Sequence, residues 1–82
     1  MKDIEKKLVD QGFTVKEAKL YIATLSLGEA TATDIAKRAG IERTTSYNIL
    51  PTLVRKGLVD TTEKGGVKYF LVSDIEIGRA HV

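Results

Sequence analysis

The chain has 82 residues, 43% hydrophobic content, no cysteine and a formal net charge of +2. Those values allow one small domain with a modest core, and they exclude a disulfide framework and a thiolate metal site. No apolar run approaches a membrane span and the N-terminus has no apolar h-region, so neither a membrane anchor nor a signal peptide is expected, and a cytoplasmic location fits.

Glycines punctuate the first two thirds of the chain at Gly12, Gly28, Gly40 and Gly57, each after an amphipathic stretch that a left-handed residue would stop. Four helices are predicted. The first covers about residues 3–11, with Ile4, Leu8 and Val9 facing inward. The second covers about 15–27. Thr14 is its N-cap, Glu17 completes a capping box, and Ala18, Tyr21, Ile22 and Leu25 form its apolar face.

The third helix covers about 32–39, capped by Thr31, with Ile35, Ala36 and Ala39 inward. A turn over Gly40, Ile41 and Glu42 follows, with Ile41 as a core plug. The fourth helix covers about 43–56, with Ser46, Ile49, Leu50 and Leu53 inward. The Ser46 hydroxyl suits a bond back to the carbonyl four residues earlier. Pro51 breaks the local rule, because it removes a backbone N–H and presses on the carbonyl of Tyr47. The pattern continuing through Leu53 and Val54 predicts a kinked, nearly continuous helix; the alternative is a stop at Leu50 and a restart at Pro51.

After Gly57 the period becomes two. Residues 58–63 and 67–72 read as strands, joined by a tight turn at Lys64, Gly65 and Gly66. Val67, Tyr69 and Leu71 share one face of that hairpin, and Lys68, Phe70 and Val72 the other. The fold class is therefore mainly α with a small β-hairpin: a winged helix-turn-helix of four helices followed by a two-stranded wing. Residues 1–72 make the domain and residues 73–82 a patternless tail or truncated linker.

Charge is uneven. Residues 1–31 balance five lysines against five acids, whereas residues 32–58 carry five basic and two acidic side chains. A basic stretch on the helix-turn-helix favours phosphate. An α-helix fits the major groove of B-DNA, where every base pair shows a distinct donor and acceptor pattern. The exposed start of the fourth helix offers Arg43, Thr44, Thr45, Tyr47 and Asn48 for that purpose. Arginine suits guanine, asparagine suits adenine, and threonine suits a phosphate or a thymine methyl. Tyr47 has two uses open to it, as core against a neighbouring helix or as a hydroxyl toward phosphate. Thr33 suits a phosphate at the start of the third helix, or serves as a second helix-start residue. Lys64 and Lys68 flank the hairpin tip, beside the DNA backbone or as solubilising lysines.

Catalysis finds no support. The single histidine, His81, lies in the tail, no base stands near Ser46, Thr44 or Thr45, and no phosphate-binding or dinucleotide glycine pattern occurs. No cofactor and no metal are expected.

The stretch EAKLYIATLSLGEATATDIAKRAGIERTTSYNILPTLVRKGLV resembles the N-terminal domain of TrmB-type transcriptional regulators. The carrying residues are Glu17-Ala18 with Tyr21, Leu27-Gly28, Ala32 with Ile35-Ala36, Arg43-Thr44-Thr45 with Tyr47, and Gly57-Leu58-Val59. The resemblance covers about residues 4–72 and implies a sequence-specific regulator binding double-stranded DNA as a homodimer. The recognition helix, about 43–56, would enter the major groove and the wing, about 58–72, would touch flanking phosphates. Two departures stand out. Glu42 occupies a position where such domains often have a proline or a good N-cap. Typical members also continue into a ligand-sensing or coiled-coil region, so this chain is either a short form or a fragment. No residues here are expected to hold an effector, and sugar response is not carried over. The alternative is a winged-helix adaptor that docks protein rather than DNA. The polar, basic start of the fourth helix favours DNA.

Overall fold

The computed structural model describes residues 2–72, with side chains from residue 4 onward. Helices α1 (Lys2–Asp10), α2 (Val15–Leu27), α3 (Ala32–Ala39) and α4 (Arg43–Arg55) are followed by strands β2 (Val59–Lys64) and β3 (Val67–Val72), and a two-residue strand β1 (Glu29–Ala30) lies between α2 and α3. The three strands form an antiparallel sheet in the order β1-β3-β2. The expected four helices and hairpin are present, and β1 adds a third strand to the expected two. It pairs Glu29 with Leu71 and Ala30 with Phe70. Two residues are too few to show the alternation that marks a strand in sequence.

The helix boundaries follow from their caps. Thr14 Oγ1 accepts the Glu17 N–H at 3.0 Å and Glu17 Oε1 accepts the Thr14 N–H at 2.9 Å, which closes the predicted capping box. Thr31 Oγ1 accepts the Asp34 N–H at 3.2 Å and starts α3. Gly40 ends α3 in the left-handed conformation, φ 72° and ψ 32°, and donates its N–H back to Ala36 and Lys37. At the hairpin tip Gly65 and Gly66 both have positive φ, 57° and 80°, as a two-residue turn matching the strand twist requires.

The core lies where α2, α3 and α4 meet the inner face of the sheet. Leu20, Ile35, Leu50, Leu53 and Val59 are fully buried, with Ala23, Ala30, Ala32 and Phe70 packed among them. Fully burying such a leucine or isoleucine contributes about 1.5–3 kcal/mol. Small residues at Ala23, Ala32 and Ala36 keep the neighbouring backbones close. Ile41, in the turn, packs against this cluster as expected.

The inward face of α2 differs from the expected one. Ala18 is buried, but Tyr21 and Ile22 are half-buried and Leu25 is 47% exposed; Glu17, Leu20, Ala23 and Thr24 are buried instead. The cause is that α2 is packed by α1, α3, α4 and β3, so its neighbours set the buried face rather than its strongest apolar period. Thr24 tolerates the core because its hydroxyl donates to Leu20 O at 2.7 Å. Ile4 of α1, expected inward, is 40% exposed, while Leu8 and Val9 are half-buried.

Helix α4 runs without interruption through Pro51. Ser46 is fully buried and donates its hydroxyl to Glu42 O at 3.1 Å, as its place on the inner face predicted. Leu50 and Leu53 join it in the core and Ile49 is half-buried. The tail over residues 73–82, including His81, lies outside the described residues.

Candidate nucleic-acid interface

The exposed side of α4 has a ridge and two flanks. At 3.6 residues per turn, Thr44 and Asn48 stand one above the other, and both are exposed. Tyr47 and Pro51 fall on the flank toward the wing, and Thr45 falls on the opposite flank toward α2. Arg43, the first helical residue, is exposed, and its neighbour Glu42 makes no side-chain cap. Thr44 and Asn48 thus share one solvent-facing surface near the start of the helix, with Arg43 exposed on the Tyr47 side of it and Thr45 half-buried on the other.

On the wing side, α3, α4 and the hairpin enclose an open hollow of about 600 Å³, whose lining includes Thr33, Tyr47, Pro51, Val67, Lys68 and Phe70. Tyr47 is 52% exposed and stands on the wall of this hollow, away from the core; of its two sequence readings, the core role is the one the packing does not adopt. Thr33, on the first turn of α3, is half-buried on the facing wall. Lys68 reaches over Phe70, its Nζ 5.8 Å from the ring centroid. The hollow therefore gathers Thr33, Tyr47 and Lys68 from three separate elements.

Lys64 is placed differently. Cross-strand partners share a sheet face, and Lys64 pairs with Val67 whereas Lys68 pairs with Glu63. The two wing lysines therefore project from opposite faces. On its own face Lys64 folds back across Tyr69, 5.8 Å from Nζ to the ring centroid, and meets Glu29 Oε1 at 2.6 Å. Its hydrogen bond to Glu29, reinforced by that carboxylate's charge, raises the Lys64 pKa above its usual value.

A second hollow, about 350 Å³, lies on the other flank of α4. Lys16 and Lys19 of α2 line it together with Ile41, Glu42 and Thr45. Sequence reading passed over these lysines because residues 1–31 have no net charge. The folded surface removes part of that balance: Glu17 is buried in its capping box and pairs with Lys56 Nζ at 3.4 Å, leaving Lys16 and Lys19 exposed on either side of it. By the same contact Lys56 is withdrawn from the basic stretch; its Nζ also lies 5.5 Å from the Phe13 ring centroid.

Among the described residues there is no cluster of histidine, cysteine, aspartate and glutamate able to hold a metal, and no helix is long and apolar enough to cross a membrane.

Comparison with known proteins places this geometry. The family model described as "Sugar-specific transcriptional regulator TrmB" matches residues 8–75. An HTH-type sugar sensing transcriptional regulator, TrmBL1 of Pyrococcus furiosus, is 43% identical over 58 residues, which is 71% of this chain and 17% of that protein. An uncharacterized protein of Methanocaldococcus jannaschii is 41% identical over 56 residues, 65% of this chain and 47% of that one. The chain thus spans less than half the length of either curated relative. Among solved structures, a MarR family transcriptional regulator from Silicibacter pomeroyi superposes with a TM-score of 0.72 at 19% identity, covering 96% of this chain and 64% of that one. The homodimeric winged helix-turn-helix DNA-binding domain from Mycobacterium bovis gives 0.68 at 24% identity, covering 95% and 78%. These likenesses establish the winged-helix fold.

Proposed function

The chain belongs to the family described as sugar-specific transcriptional regulator TrmB, and on that premise we propose that it is a sequence-specific DNA-binding transcriptional regulator. The observation that carries the reading is the exposed side of α4, where the ridge of Thr44 and Asn48, with Arg43 exposed beside it, stands between two hollows that each present lysine. In this reading α4 enters the major groove. Arg43 and Asn48 read base edges, Thr44 and Thr45 contact a phosphate or a thymine methyl, and Thr33, Tyr47, Lys64 and Lys68 hold flanking phosphates. One such module buries too little surface for tight specific binding, so two copies bind an inverted repeat. The exposed Ile4 on α1 supports a self-contact there, and the Mycobacterium bovis neighbour is described as homodimeric.

The test is a selection from random double-stranded oligonucleotides at two salt concentrations, with the mass of the complex measured. Enrichment of an inverted repeat, bound by two chains and weakened by salt, is the expected result. Retention of no duplex at either salt concentration would refute the proposal.

A further inference from the structure

We infer that Lys16 and Lys19, on the flank of α4 away from the wing, form a second phosphate clamp on the DNA backbone; the inference rests on the DNA-binding reading of α4. Three observations carry it. Both ammonium groups are exposed and line one hollow with Thr45, a first-turn residue of the helix that enters the groove. They stand three positions apart on α2, so they project from neighbouring points of one helix face. The acid between them in sequence, Glu17, is buried and engaged by Thr14 and Lys56, so it does not neutralise them.

The geometry follows from the groove. A helix in the major groove has a phosphate ridge on each side. The wing hollow, with Lys68 and Thr33, faces one ridge. The α2 hollow, on the opposite flank of the same helix, faces the other. Its volume, about 350 Å³, is ample for a phosphate group. Glu42 is the acid on that hollow's rim, one carboxylate against two ammonium groups. The clamp is sequence-blind, because it meets only the backbone.

The experiment is fluorescence anisotropy of the chain with a duplex of random sequence and with the selected duplex, over a series of salt concentrations. Each lost phosphate contact should flatten the slope of log K against log salt by about 0.9. The Lys16→Ala/Lys19→Ala variant is expected to flatten it by up to twice that on both duplexes alike, Lys16→Arg/Lys19→Arg to restore it, and Glu42→Gln to tighten binding. An equal flattening from Lys6→Ala/Lys7→Ala, exposed lysines of α1 outside both hollows, would reduce the effect to net charge and overturn the clamp. So would an unchanged slope in the Lys16/Lys19 variant, with circular dichroism showing it folded. Absence of binding by the unmodified chain would refute the DNA reading itself, and the clamp with it.

Discussion

Glu17 and Lys56 are 39 positions apart in sequence, yet the Lys56 ammonium lies 3.4 Å from Glu17 Oε2 while Glu17 Oε1 accepts the Thr14 N–H. One carboxylate thus closes the start of α2 and holds the end of α4. Glu17→Ala removes both contacts and should lower stability by about 1–2 kcal/mol, in the range of a lost cap or a lost charged hydrogen bond. Lys56→Ala removes only the half-exposed partner and should cost about 0–1 kcal/mol. Urea denaturation of the two variants checks the order, and equal losses would contradict the double role.

Ser46 is buried with no exposed surface, and its hydroxyl donates to a carbonyl that already accepts the Ser46 N–H at 3.0 Å. That carbonyl is not orphaned when the hydroxyl goes. Ser46→Ala should therefore cost no more than about 1 kcal/mol, whereas Ser46→Leu should cost about 1–3 kcal/mol through overpacking. Thermal unfolding distinguishes the two.

Pro51 sits inside α4 on the exposed side, with its ring on the wall of the wing hollow. Pro51→Ala restores a helical N–H and should stabilise the domain by about 1–2 kcal/mol: the helix-interior penalty of roughly 3 kcal/mol, reduced by the greater freedom of the unfolded chain. A higher Tm with weaker DNA binding is expected, because the wall beside Tyr47 is lost. A lower Tm would show that the helix gains nothing from the restored bond.

Replacing Arg43 or Asn48 by alanine should weaken binding to the selected duplex by about 1–3 kcal/mol and leave binding to random duplex nearly unchanged. Lys68→Ala should weaken both alike and flatten the salt slope by about 0.9. Lys64→Ala should act in the same direction but less, because Glu29 already answers that charge. Anisotropy titrations of all four variants against both duplexes give these values side by side.

The Lys64–Glu29 pair also has a pH signature. The Lys64 pKa is raised above its ordinary 10.5 by the Glu29 hydrogen bond and charge. A group whose folded pKa exceeds its unfolded one contributes stability in full below the unfolded value and loses it as pH rises through the folded value. The stability carried by the Lys64 shift is thus present in full at neutral pH and is lost as pH rises into the alkaline range above 10.5. NMR titration of the Lys64 side chain should show the raised value, and Glu29→Gln should return it to the ordinary one.

Much of this fold is legible in the sequence. The caps at Thr14 and Thr31, the turn at Gly40 and the hairpin tip at Gly65-Gly66 depend on neighbours in the chain, and local rules found them. The burial of Leu25 and Ile4 depends on what packs against α2 and α1, and there periodicity misled. The site divides in the same way. The ridge of Thr44 and Asn48, with Arg43 and Tyr47 stacked beside it, follows from helical spacing alone. Lys16 and Lys19 do not, because a running charge sum cannot tell that Glu17 faces inward. Nor does spacing along the hairpin reveal that a carboxylate from before α3 would reach Lys64.

The two-residue strand β1 imposes an order on assembly. Ala30 pairs with Phe70 and Glu29 with Leu71, near the end of β3. Helices adjacent in the chain can meet through contacts closer in sequence, but this seam, like the Glu17–Lys56 contact, requires a loop of some forty residues to close, at an entropic cost that local contacts do not bear. During synthesis the linker between α2 and α3 stays unpaired until Leu71 has emerged. A nascent chain arrested before that point can assemble its reading helix, but its wing remains unjoined to the linker that later steadies it.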